Sequence, residues 1–149
     1  MAQPGKVFYT GLFRHTIDDK GRLTIPSAWR HAHEESDAFL AVPLGGYIAV
    51  LPPAEVEKVY TQIAAMKLKD ANAQASAAKF FSETQSLSFD KAGRVILDAA
   101  LLKRMGIERD AVLVGSLTKF NIYSPARWEQ EHAVASAQDS GGLLHNLDI

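Results

Sequence analysis

One segment of this chain occurs twice. Asp18-Asp19-Lys20-Gly21-Arg22-Leu23-Thr24-Ile25-Pro26 returns 72 positions later (18 to 90) as Asp90-Lys91-Ala92-Gly93-Arg94-Val95-Ile96-Leu97-Asp98. Both copies keep Asp-x-x-Gly-Arg, then an apolar residue, a spacer and another apolar residue. Such a repeat implies a duplicated fold, and a duplicated Gly-Arg turn suggests a duplicated binding surface. Each copy sits in a unit of roughly 50 residues, which is marginal for burying a core of its own. The two halves are therefore expected to pack as one body with interleaved hairpins.

The flanking segments also correspond. Phe13, His15 and Ile17 share one face of an extended strand, with Arg14 and Thr16 on the other. The matching stretch in the second half is Phe80 to Phe89, where Leu87 and Phe89 mirror His15 and Ile17. Gly21 and Gly93 permit tight turns, and Leu23/Ile25 and Val95/Leu97 alternate as returning strands do. A short helix follows each turn. The first opens at Pro26 or Ser27 with Trp29 and Ala32 inward; the second is N-capped by Asp98 and stops at Gly106. Paired strands come next, Ala38–Pro43 with Tyr47–Leu51 and Ala111–Gly115 with Phe120–Tyr123. Each half closes with a helix entered through proline, at Pro52-Pro53 and at Ser124-Pro125. In the first of these, Val56, Val59, Tyr60, Ile63 and Met66 form a stripe at helical spacing that suits a core or a subunit contact. The reading divides the chain into a first unit at 1–66, an alanine-rich connecting helix at 67–79, a second unit at 80–137 and a flexible tail at 138–149.

Composition limits the chemistry. The 149 residues carry a net charge of −1, 47% hydrophobic residues and no cysteine. Disulfides and thiolate metal sites are excluded. The start lacks a signal-peptide core, and no apolar run approaches the roughly 20 residues that cross a bilayer; a cytoplasmic protein is expected. Charge is uneven: residues 1–33 hold five bases against two acids, or +3. His31-x-His33 cannot share a helix face as a metal pair, Gly45-Gly46 lacks the Lys-Ser/Thr of a phosphate loop, and no Gly-x-Ser-x-Gly elbow is present. Neither a catalytic cluster nor a cofactor is indicated.

Two strings carry a wider likeness. His15-x-x-Asp18-x-Lys20-Gly21-Arg22-Leu23-x-Ile25-Pro26-x-x-x-Arg30 resembles the opening signature of the MraZ family. Asp90-x-x-Gly93-Arg94-Val95, then Met105-Gly106-Ile107, Val112-Leu113-Val114-Gly115 and Phe120-x-Ile122-Tyr123-Ser124-x-x-x-Trp128, resembles the family's second signature. The likeness spans about residues 8 to 130. It implies a mixed α+β, mainly β fold, a tandem duplicated AbrB-like swapped-hairpin β-barrel with flanking helices. It also implies a bacterial, nucleoid-associated regulator of the division and cell-wall gene cluster, a ring of many subunits on direct repeats of promoter DNA. The family's DNA contacts map to Lys20 and Arg22, with Arg94 as the second-half equivalent.

Arg22 and Arg94 can read guanine edges or grip phosphate, or can instead brace their turns against Asp18 and Asp90. Lys20 stands at a turn tip, and Arg14 adds a phosphate contact from the polar strand face. Ala92 stands where the first turn has Lys20, and the second turn has a shifted lysine, Lys91. The expected function is sequence-specific binding of double-stranded DNA by a homo-oligomer acting as a repressor, without catalysis. The rival reading is an antitoxin-like or scaffold protein using the same fold without operator recognition.

Overall fold

The computed structural model describes residues 7–30, 33, 37–67, 69–136, 143 and 147. The element order is β1 (Leu12–Thr16), β2 (Arg22–Thr24), α1 (Ser27–Arg30), β3 (Phe39–Leu44), β4 (Tyr47–Leu51), α2 (Pro53–Ala64), α3 (Ala71–Ser82), β5 (Gln85–Leu87), β6 (Arg94–Ile96), α4 (Ala99–Arg104), β7 (Asp110–Gly115), β8 (Phe120–Tyr123) and α5 (Pro125–Ser136). The fold is mixed α+β and mainly β. Six strands form one antiparallel sheet in the order β1-β7-β8-β4-β3-β5, and β2 and β6 form a separate two-stranded ribbon.

The pairing departs from simple hairpins. The Asp18–Gly21 turn is closed locally, by Gly21 N–H to Asp18 O and Asp18 N–H to Arg22 O. Beyond it, however, β1 runs along β7, with Phe13 opposite Leu113, while β2 runs along β6. The second half does the same: β5 pairs with β3, Leu87 opposite Phe39. Only the β3–β4 and β7–β8 pairs are sequence-local, and β4 joins β8 to link them. The halves thus exchange strands, as their small individual size requires. Among the described residues no ladder joins the edge strands β1 and β5, so the large sheet is open and the expected closed barrel is not formed.

Both halves feed one apolar cluster. Trp29, Leu23, Ile25, Phe39 and Ile48 from the first half meet Val95, Leu97, Leu113, Phe120 and Ile122 from the second. Trp29 anchors it: its ring lies 5.0 Å from Phe120 and 5.1 Å from Phe13, and its indole N–H donates to Thr10 O at 3.1 Å. That bond satisfies the one polar atom a buried indole carries.

Local expectations fare unevenly. Phe80–Ser82, expected as strand, instead complete α3, because Asp70 caps that helix through Ala73 N–H (3.0 Å) and the alanine run carries it past Lys79. The second half's strand therefore shrinks to Gln85–Leu87. Asp98 does occupy the N-cap of α4 but makes no capping bond with its side chain. Its own N–H donates to Gln85 Oε1 at 2.9 Å, and Gln85 Nε2 donates to Ile96 O at 2.8 Å, tying β5 to the exit of β6. The α2 stripe buries none of its residues, and Tyr60 is exposed. His33 is not a surface residue: it is half-buried, pairs with the Tyr9 hydroxyl at 2.8 Å and with Asp37 Oδ2 at 3.2 Å, and packs edge-on to Phe39. His31, Ala32 and nearly all of the 138–149 tail lie outside the described residues.

Candidate nucleic-acid interface

The β2–β6 ribbon is where the repeated motif comes together. Its register sets Arg22 opposite Ile96, Leu23 opposite Val95 and Thr24 opposite Arg94. Strand side chains alternate between faces. Leu23 and Val95 point into the core at 0% and 2% exposure, so Arg22, Thr24, Arg94 and Ile96 all share the outer face. Two further bonds extend the ladder symmetrically, Ile25 N–H to Gly93 O (3.1 Å) and Leu97 N–H to Gly21 O (2.9 Å).

Each arginine is held by its own turn. In the first, Asp18 Oδ1 accepts from the backbone N–H of Lys20 and Arg22 at 3.0 and 2.8 Å, and Oδ2 accepts from Arg22 Nε at 2.5 Å. In the second, Asp90 Oδ1 accepts from Ala92 N–H and Arg94 N–H at 2.9 and 2.8 Å, and Oδ2 from Arg94 Nε at 2.8 Å. Both carboxyls are held below the ordinary carboxylate range, chiefly by the arginine backbone N–H and further by the arginine side chain. These ion pairs brace the turns and also aim the arginines. Only Nε is engaged by the aspartate, and about a third of each side chain stays exposed, 31% for Arg22 and 33% for Arg94. The brace and the binding surface are compatible, since a guanidinium has donors to spare.

The other sequence-predicted residues are distributed differently. Lys20 and Lys91 are exposed on their turns. Because β2 and β6 are antiparallel, the two turns stand at opposite ends of the ribbon. Arg14 lies on the large sheet, on β1 beside Val112, where its Nη2 donates to Glu129 of α5 at 3.3 Å. It is not on the ribbon with Arg22 and Arg94.

Sequence reading gave no role to Arg30. Its Nε donates to Ile25 O at 2.9 Å, and its guanidinium lies directly over Gly93. The one signal in the sequence was its position four residues beyond Pro26 in the motif. Among the described residues no group of three or more His, Asp and Glu side chains could hold a metal ion, and no helix is long and apolar enough to cross a membrane.

Comparison with known proteins agrees with the duplicated motif. A family described as "MraZ protein, putative antitoxin-like" matches residues 8–78 and 80–140. Relatives bearing the name Transcriptional regulator MraZ include one from Limosilactobacillus fermentum, 34% identical over 140 residues, covering 94% of this chain and 96% of the relative. One from Desulfitobacterium hafniense is 35% identical over 147 residues, covering 95% and 99%. One from Thermomicrobium roseum is 29% identical over 130 residues, covering 87% and 91%. With both halves matched in order and nearly the full length shared, the chain belongs to the MraZ family.

Proposed function

We propose that this chain is a transcriptional repressor that binds direct repeats of promoter DNA as a ring homo-oligomer and controls the bacterial division and cell-wall gene cluster. The observation that carries the reading is the outer face of the β2–β6 ribbon, where Arg22 and Arg94 emerge together from one scaffold. A two-stranded β-ribbon fits the major groove of B-form DNA, and arginine is the side chain suited to paired hydrogen bonds with guanine. The names of the relatives support a role in transcription.

The exchanged strands fit the swapped-hairpin architecture that the resemblance implies. In the proposed mechanism the ring presents many ribbons, so successive operator repeats engage several weak contacts at once. Multivalency reconciles a net charge of −1 with DNA binding. Lys20 and Lys91 supply phosphate contacts on the turns that hold the arginines, and Arg14 supplies one away from the ribbon, from the large sheet. No catalytic step and no cofactor form part of the mechanism.

A gel shift with the DNA directly upstream of the chain's own coding sequence tests the proposal. Retardation at low salt that fades as salt rises is expected. The family's antitoxin-like description favours a second reading, a protein-binding module. Absence of any shift at low salt, with the oligomer intact, would select that reading.

A further inference from the structure

We propose that Arg30 is a DNA-backbone contact of the second turn, delivered from the first half to the place beside Gly93 where the first turn has Lys20 beside Gly21. The inference rests on the DNA-binding reading above.

Between the shared Asp and the shared Gly-Arg the two turns differ at both positions, Asp19 against Lys91 and Lys20 against Ala92. The first reads Lys20-Gly21-Arg22 and the second Ala92-Gly93-Arg94. The second turn thus has no cation next to its glycine on the Ala92 side. Arg30 fills that place from outside the turn. It ends α1, and its Nε bond to Ile25 O fixes it where Ile25 N–H meets Gly93 O. A Cβ added to Gly93 would collide with the Arg30 guanidinium, and Gly93 is buried beneath it although it sits in a surface turn. The arrangement is one-sided. Leu102, 72 positions beyond Arg30 (30 to 102), is apolar and lines an open groove of about 440 Å³ beside Gly21. The first turn therefore carries the lysine next to its glycine on its own backbone, whereas the second carries Lys91 one residue further away and borrows an arginine across the ribbon beside Gly93. A guanidinium held by one Nε bond keeps its terminal N–H groups for phosphate oxygen.

The test measures binding of the full-length oligomer to a labelled duplex from the DNA upstream of its own coding sequence, across a series of KCl concentrations. Arg30→Ala should lower the slope of log affinity against log salt by about one unit, the signature of one lost phosphate contact. Ala92→Lys in the Arg30→Ala background should restore that slope, because it places the cation on the turn itself. Thermal melting of each variant, with its oligomer mass, accompanies the titrations. Three results would overturn the inference. Arg30→Ala could bind with the wild-type slope while Arg22→Ala is impaired, which would leave the DNA-binding reading standing alone. Arg30→Ala could lose affinity with the slope unchanged and no rescue by Ala92→Lys, which would make Arg30 a structural brace. Failure of the wild-type chain to bind at low salt would remove both the inference and the reading beneath it.

Discussion

Leu23 and Val95 face each other across the antiparallel β2–β6 ladder, at the centre of the relation that joins the two copies of the motif. Equivalent positions of the repeat thus meet as partners. Their side chains seal the core, and the alternation they impose sends Arg22 and Arg94 outward on a common face. Packing and binding are consequences of one register. A slip of a single residue would bury both arginines and expose both apolar residues.

Leu23→Ala should destabilise the protein by about 2–5 kcal/mol, since Leu23 is fully buried at the seam where neither half can relax alone. Denaturant unfolding followed by circular dichroism would measure it. A cost near that of a surface substitution would mean that the two halves are not joined through this pair.

Gly21 has a φ of +79° and a Cβ there would stand 2.6 Å from Leu97 O. Gly21→Ala therefore strains the backbone and pushes against Leu97 O, the carbonyl of the residue whose N–H donates to Gly21 O at the end of the ladder. A loss of about 1–3 kcal/mol is expected from the backbone conformation alone. Gly106, also at positive φ but with open space around it, provides the control: alanine there should cost less than at Gly21. Equal costs at the two sites would rule out the close approach as a cause.

Asp18 and Asp90 have folded-state pKa values lowered below the unfolded value, first by the backbone N–H of Arg22 and Arg94. The stabilisation from such a group is present above the unfolded carboxylate pKa and is lost as pH falls through the folded one. Asp18→Asn and Asp90→Asn should therefore melt below wild type at neutral pH. The difference should shrink on acidification below about pH 4. Melting curves across that range would show it; a difference that grows on acidification contradicts the assignment.

Tyr9 links two regions, pairing with His33 through its hydroxyl while its backbone bridges Leu117. Burial pushes its phenol far above the usual range, so it stays protonated at any physiological pH. Tyr9→Phe leaves a half-buried imidazole nitrogen without its partner and should cost about 1–3 kcal/mol. Thermal melting beside a Leu117→Ala control would separate this loss from disturbance of the bridge.

Arg22→Ala and Arg94→Ala should each weaken binding to the upstream DNA. If the arginine reads guanine, base preference relaxes; if it grips phosphate, the salt slope falls by about one unit for each. Competition with scrambled duplexes at fixed salt, followed by salt titration, distinguishes the two modes.

The order of local elements was legible in the residues themselves. Glycines that need positive φ marked the turns, prolines opened α2 and α5, and alternation marked β1, β2 and β6, because each signal acts within a few residues. The family was legible as well, since its motifs are turn-forming strings that survive in one dimension. Partner choice was not. Backbone ladder bonds are the same for every strand, so nothing local in β2 names β6 rather than β1 as its neighbour. The open edges of the large sheet, the withdrawal of Arg14 to α5 and the seating of Arg30 on Gly93 were likewise beyond reach. Each joins residues far apart in the chain, and a common hydrophobic core, indifferent to sequence distance, brings them together.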